Sequence, residues 1–162
     1  YIMCSYGLNE EWDLWYHSIR EDDWQKGSYQ KLLSLKTLFD YQLIKTVFKQ
    51  NHYQNGMFFC MKKTIFPNWE DPLNRRGGCL SFKVSSKDIL SEWNYILFSC
   101  INQTILKGNN QEVNGISISP KKEFNIIKIW FIENTPEKYR QLFNVLRPLL
   151  SIEKSVFRKH TI

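Results

Sequence analysis

Two neighbouring stretches commit this chain to a sheet with unlike faces. In residues 115–121, Ile116 and Ile118 fall on one side of an extended backbone, and Ser117, Ser119 and Lys121 fall on the other. In residues 126–132, Ile127, Ile129 and Phe131 face one way, while Ile126, Lys128, Trp130 and Ile132 face the other. Successive side chains of a strand point to opposite faces, so each stretch has an apolar side that must be covered. The other side is polar and carries a tryptophan. The short break between the stretches predicts an antiparallel pair. Residues 78–84 repeat the pattern, with Leu80, Phe82 and Val84 opposed to Cys79, Ser81 and Lys83. Further strands are read at 12–19, at 57–65 with apolar residues on both faces, and at 155–160.

Three segments have helical spacing and supply the cover. Residues 37–49 place Leu43 and Val47 on one side, with Tyr41, Ile44 and Phe48 beside them. Ser85 or Ser86 caps a second helix, with Asp88 near its positive end; Ile89, Trp93, Ile96, Leu97, Cys100 and Ile101 recur at intervals of three and four. Thr135-Pro136-Glu137 opens a third, whose buried face is expected to be Tyr139, Leu142, Phe143, Leu146 and Leu149. Trp12, Trp15 and Trp93 are assigned to the core. Asn55-Gly56 and Gly108-Asn109-Asn110 mark breaks. The economical architecture is α+β. A single curved antiparallel sheet of about 7–8 strands carries three helices on its convex face and leaves the concave face open and polar, with Trp130 on it. No repeat, linker or second domain is visible, so residues 1–162 are read as one domain.

Two tryptophans do not fit a core. Trp69 lies in residues 67–78, where Pro67, Pro72 and Gly77-Gly78 mark a loop; Glu70 and Asp71 follow it, then Arg75 and Arg76. Trp24 stands alone in the polar segment 20–28. A large aromatic surface is unfavourable to leave in water. Flat rings beside an acceptor-only carboxylate and positive charge suit a flat, donor-rich, polyanionic ligand such as a guanine nucleotide. Aromatic residues make up 15% of the chain, including six tryptophans, and the net charge of +6 favours an anionic partner. Cys4, Cys60, Cys79 and Cys100 are far apart and form no CxxC pair, so they are read as reduced thiols, with Cys60 and Cys100 in the core. His17, His52 and His160 are scattered without metal-ligand spacing, which argues against an enzyme and against a metal site. No signal peptide or membrane-spanning run is read, and a cytoplasmic protein is expected.

Several of these residues, in order, resemble the translation initiation factor 4E family, the cap-binding proteins of messenger RNA. The match runs from about Tyr6 to Val156. It is strongest at Trp69-Glu70-Asp71 with Asn74 and Gly77-Gly78, and is supported by Trp12-Asp13-Leu14-Trp15, Trp24, Trp93 and the spacing from Gly115 to Trp130. The resemblance implies a cupped antiparallel sheet backed by three helices, and a ligand, the 7-methylguanosine cap, with no cofactor. Trp24 and Trp69 would stack on the two faces of the methylated base, each stack contributing about 1–3 kcal/mol. Glu70 would accept from the guanine N1–H and amino group, and Trp130 would lie against the N7-methyl group.

The sequence departs from the family on the triphosphate side. Cys79 and Lys121 stand where phosphate-binding arginines are expected, and Ile126 stands in place of a lysine. Lys121 and Lys128, with Lys122 or Lys83 assisting, are the candidate replacements. The family also implies a helix-forming peptide, from the scaffold factor 4G or a repressor, on the convex face. There the docking tryptophan falls at Gln42, Leu38, Phe98 and Ile101 keep an apolar surface, and Tyr6-Gly7-Leu8 replaces the usual lead-in. The leading expectation is cap binding for translation initiation. The alternatives are a cap-binding repressor or RNA-sequestering protein, and an interaction module without cap binding.

Overall fold

The computed structural model describes residues 7–160. Its strands are β1 (Gly7–Ser18), β2 (Gln30–Thr37), β3 (Gly56–Lys62), β4 (Gly78–Ser85), β5 (Val113–Pro120), β6 (Phe124–Phe131) and β7 (Val156–Lys159). They form one antiparallel sheet in the order β2-β1-β3-β5-β6-β4-β7. The helices are α1 (Leu38–Val47), α2 (Gln50–Asn55), α3 (Ile89–Ile101) and α4 (Pro136–Leu142).

The alternation decides which side each helix takes. Trp12 and Leu14 of β1, Leu80, Phe82 and Val84 of β4, Ile116 and Ile118 of β5, and Ile127, Ile129 and Phe131 of β6 share one buried cluster. Tyr41 and Ile44 from α1, Tyr53 from α2, Trp93, Ile96 and Leu97 from α3, and Tyr139 from α4 pack into that same cluster. All four helices therefore cover one face. The paired stretches of the sequence are aligned as expected, with Ile118 opposite Ile127 and Ile116 opposite Ile129. Two glycines are dictated by close approach. A Cβ at Gly115 would overlap the Cys60 carbonyl on β3, and one at Gly77 would overlap the Phe131 carbonyl on β6.

The opposite face is not simply polar. Phe59, Met61, Ile65, Cys79 and Trp130 form a second buried cluster, against which Trp15, Tyr29 and Met57 pack. Trp12 and Trp15 are an odd number of residues apart on β1, so they occupy opposite faces; only Trp12 enters the main core. Cys60 and Cys100 are buried as expected. Cys4 and Tyr6 lie outside the described residues.

Several local expectations are corrected. β1 begins at Gly7, before the aromatic run, because Trp12 to Ser18 pairs with β3 while the earlier residues lead into the β2 pairing. β2 has no clean alternation and gave no sequence signal. The short α2 is additional to the three expected helices. On α1, Tyr41 and Ile44 are buried while Leu43 and Val47 are exposed. Neither Ser85 nor Ser86 caps α3 through a backbone hydrogen bond; Ser85 Oγ donates to Asp88 Oδ2 (2.7 Å), and Asp88 occupies the N-cap after a single 3₁₀ turn. The last helix ends at Leu142, where Phe143 makes a bridge to Leu106. Beyond it the chain is irregular, so Val145 and Leu150 are buried and Leu146 is 87% exposed.

Trp93 is fully enclosed and packs against Tyr53 at 6.0 Å. Trp93→Ala should destabilise the fold by about 3–5 kcal/mol. Urea unfolding should show a lower midpoint at unchanged slope.

Candidate functional site

On the uncovered face, β3, β5 and β6 present a floor. Trp130 is 7% exposed and its Nε1 donates to Ser117 Oγ on β5 at 3.0 Å. Phe59 of β3 meets the ring edge to face, with centroids 6.4 Å apart. The indole is thus fixed in direction before any ligand arrives.

The loop after β3 is held by its own polar side chains. Asp71 accepts from the Phe66 and Leu73 amides (2.9 Å each), and Asn68 Oδ1 accepts from the Asp71 amide (2.9 Å). Asn74 is buried; its Nδ2 donates to the Asn68 and Phe66 carbonyls at 2.8 and 3.2 Å. Asn114, buried on β5, donates to Asn74 Oδ1 (3.0 Å) and to the Leu73 carbonyl (2.8 Å). This network ties the loop to the sheet and leaves Trp69 49% exposed. Asp71 and Asn74 are therefore organisers of the loop, and Asn114 is a supporting residue that the sequence reading missed.

Trp24 projects from the connection between β1 and β2. His17 lies parallel to it, with centroids 3.9 Å apart and an interplanar angle of 3°. His17 Nε2 is 2.8 Å from the Asp23 carbonyl and 3.1 Å from Ser28 Oγ, and Nδ1 is 2.9 Å from the Ser18 carbonyl. One face of Trp24 is thus occupied by a buried histidine, and the ring remains 51% exposed.

Trp24, Trp69, Glu70 and Trp130 line one cleft of about 240 Å³, together with Tyr29, Met57, Phe59, Ser117, Ser119 and Lys128. Five separate segments of chain meet there. Glu70 is exposed and forms no ion pair among the described residues. Burial, then the Glu70 charge, raises the pKa of the Tyr29 hydroxyl. A larger hollow of about 730 Å³, bordered by Pro72, Arg75, Arg76 and Glu133, lies beside the loop and contains none of these rings.

The first cleft shares Ser119 and Lys128 with a second, of about 380 Å³. The second brings together Lys83, Lys121 and Lys128, as the strand phases required, and adds Lys154 and Arg158. Lys122, in the turn after β5, does not line it. Arg158 is the register partner of Cys79 across β4 and β7. The alternation of Val156 and Arg158 about Phe157 was the available signal for it.

Cys79 is buried among these groups, and burial raises its thiol pKa to about 12. Its Sγ lies 3.0 Å from His160 Nε2, while His160 Nδ1 is 2.7 Å from the Asn74 carbonyl. A carbonyl only accepts, so Nδ1 carries the proton of the neutral ring and Nε2 accepts from the thiol. His160 also packs against Trp130, with centroids 5.0 Å apart.

On the helical face, Leu38 is half-buried and Gln42 and Phe98 are exposed, but Ile101 is buried in the core and Leu8 packs against it. The expected docking surface is reduced by Ile101, because the helix turns that residue toward the sheet. Among the described residues no group of three or more His, Cys, Asp or Glu could hold a metal, and no helix is long and apolar enough to cross a membrane.

The model of the family described as eukaryotic initiation factor 4E matches residues 7–161. The chain belongs to this family. Within it, the chain is 28% identical over 129 residues to eukaryotic translation initiation factor 4E of Saccharomyces cerevisiae, a match that covers 76% of this chain and 60% of that one. The chain thus spans less than two thirds of that relative's length. Among solved structures, the fold is similar to that of Ascaris suum eIF4E-3 in complex with m7G cap, with a TM-score of 0.74 at 16% identity over 84% of this chain and 78% of that one. It is also similar to that of C. elegans eIF4E-3 with the 4E-binding protein Mextli and cap analog, with a TM-score of 0.75 at 17% identity over 84% and 79%. This member of the family therefore shares the sheet architecture of those proteins.

His160 couples this site to pH. Burial lowers its pKa below the ordinary 6.5; the Asn74 carbonyl opposes that effect and Lys128 adds to it. The folded chain holds the ring neutral more strongly than the unfolded chain does. The stabilisation is complete above about pH 6.5 and is lost as pH falls through that value toward the lower folded one. Thermal midpoints measured between about pH 5 and 8 should fall on the acid side more steeply for the wild type than for His160→Gln.

Proposed function

We propose that this chain binds the 7-methylguanosine cap of messenger RNA, stacking the methylated base between Trp24 and Trp69, and that it serves translation initiation in the cytoplasm as a non-enzymatic factor. The observation that carries the reading is the convergence of Trp24, Trp69, Glu70 and Trp130 from three separate segments on one cleft. Methylation at N7 makes the base cationic, and a cation over an indole face is worth about 2 kcal/mol when desolvated. Glu70, unpaired within the protein, accepts from the guanine N1–H and amino group. Adenine presents the wrong edge and would leave the carboxylate without a partner. Trp130, held by Ser117, meets the N7-methyl group. Lys121, Lys128 and Lys83 take the triphosphate as point charges, and Lys122 assists from the adjoining turn.

On the helical face we assign a helix-forming peptide from a 4G-like scaffold or a repressor. In support, Leu38, Phe98, Phe39, Leu43 and Val47 present apolar surface from α1 and α3. The neighbouring C. elegans structure holds a 4E-binding protein. Exposed Gln42 favours a second reading, a cap-binding repressor, because a glutamine there gives an incoming apolar side chain no flat ring to pack on.

Tryptophan fluorescence titration with 7-methyl-GTP and GTP tests the pocket. The methyl group should improve affinity about 30-fold or more, since about 2 kcal/mol exceeds one decade. Trp69→Ala should abolish the difference, and Glu70→Ala should weaken binding of both nucleotides; equal weak binding of both by the wild type would sink the reading. Adding the protein to a cell-free translation reaction with a capped reporter separates the two outputs. Stimulation is expected, and inhibition selects the repressor.

A further inference from the structure

Ser119 and Lys128 line both clefts, so the two open into one groove on the uncovered face, with Trp130 at its base-binding end. Against that ring stands His160, which lines neither cleft. It follows β7 and is half-buried. Its backbone amide donates to the Gly77 carbonyl at 3.0 Å, and its Nδ1–H donates to the Asn74 carbonyl at 2.7 Å. Both carbonyls belong to the Trp69 loop. Nε2 accepts from the Cys79 thiol at 3.0 Å, and the ring lies 5.0 Å from Trp130, centroid to centroid. One residue thus touches the Trp69 loop, β4 and β6 at once.

Cys79 takes its meaning from this contact. It stands where a phosphate-binding arginine is expected, yet it is 4% exposed and its sulfur meets His160. The thiol is a donor and the Asn74 carbonyl only accepts, so both ring nitrogens are satisfied in one state alone, the neutral ring with its proton on Nδ1. A protonated ring would turn a second donor on a sulfur that is a weak acceptor. The charged residues of the strands around it are all cations: Lys83 on β4, Lys128 on β6, and Arg158 and Lys159 on β7. The loop adds Glu70, Asp71, Arg75 and Arg76. No carboxylate pairs with the ring among the described residues. Burial and Lys128 disfavour the charged form, against the Asn74 carbonyl.

Building on the assignment of the first cleft to the methylated base, we infer that His160, held by Cys79, is a positioning residue for that base. It fixes Trp130 beside the N7-methyl group and the Trp69 loop over the ring, and it does so only when neutral. A ligand that meets ordered rings does not have to order them itself, which is a gain in affinity. That gain is complete above about pH 6.5 and is lost as pH falls through the lower value of the folded chain.

The test is fluorescence titration of 7-methyl-GTP and 7-methyl-GMP between about pH 5 and 7.5, on wild type and His160→Gln, with circular dichroism at each pH to confirm the fold. Ionisation of the ligand and of Glu70 is common to both proteins and cancels in the ratio of their affinities. At the upper pH, His160→Gln should bind both nucleotides about five-fold more weakly, the worth of one hydrogen bond. The ratio should shrink toward one at the acid end, where the wild type loses its neutral ring. Cys79→Ala should reproduce the loss. Cys79→Ser, whose hydroxyl still donates to Nε2, should bind within about two-fold of wild type. A ratio independent of pH overturns the positioning role, because a purely structural clamp would give that result. Wild-type affinity in His160→Gln or Cys79→Ala also overturns it. So does a loss confined to 7-methyl-GTP, because the ring then acts on the phosphates. If the wild type does not distinguish 7-methyl-GTP from GTP, the assignment of the base cleft falls, and the role of His160 falls with it.

Discussion

The pleat of a strand lets each residue serve only one face, and this molecule uses both. On β6, Ile127, Ile129 and Phe131 enter the core under the helices, while Ile126, Lys128 and Trp130 line the uncovered side. A shift of register by one residue would put Lys128 and Trp130 into the core and three large apolar side chains into water. The buried face therefore fixes the order of groups on the functional one. No separate interaction is needed to keep Trp130, Lys128 and Ile126 in sequence along the groove.

The two exposed tryptophans cannot be positioned in this way, because they stand on loops. Each is tied to the sheet through a buried polar group. His17 stacks under Trp24 and reaches three oxygens around the loop, and Asn114 reaches Asn74 and Leu73 at the base of the Trp69 loop. Buried polar side chains of this kind are expensive unless satisfied, and once satisfied they define one arrangement. Pre-positioning matters because a sandwich gains its full stacking only if neither ring has to be ordered by the ligand.

How far the sequence could be read follows the same division. Strands with one apolar face declared themselves, as did Trp93 on a helix with regular spacing. β2 did not, because Leu32, Leu33 and Leu35 break its alternation while Gln30 and Lys31 belong equally well to a loop. The run after Leu142 has helical spacing, yet Phe143 leaves the helix to pair with Leu106, a tertiary contact that no local pattern contains. Trp15 was legible in principle, since an odd spacing from Trp12 places it on the other face. Lys154 and Arg158 were not read as neighbours of Lys121 because β7 joins the sheet beside β4, far from it in sequence. His17 and Asn114 gave no signal at all, because a buried polar residue looks like any other until its partners are known.

β7 also has a consequence for the isolated protein. It borders the sheet on one side, as β2 does on the other, so both present strand edges with no further strand beside them among the described residues. Unpaired edges are templates for another chain, and lysines along them discourage that pairing. Arg158 and Lys159 on β7, with Lys31 and Lys36 on β2, supply such charges. Arg158, which borders the second cleft, thus doubles as a guard against self-association. A polyanion bound at the second cleft would neutralise Arg158 and so weaken one of the two guarded edges, which would make the colloidal behaviour of the sheet depend on what the cleft holds.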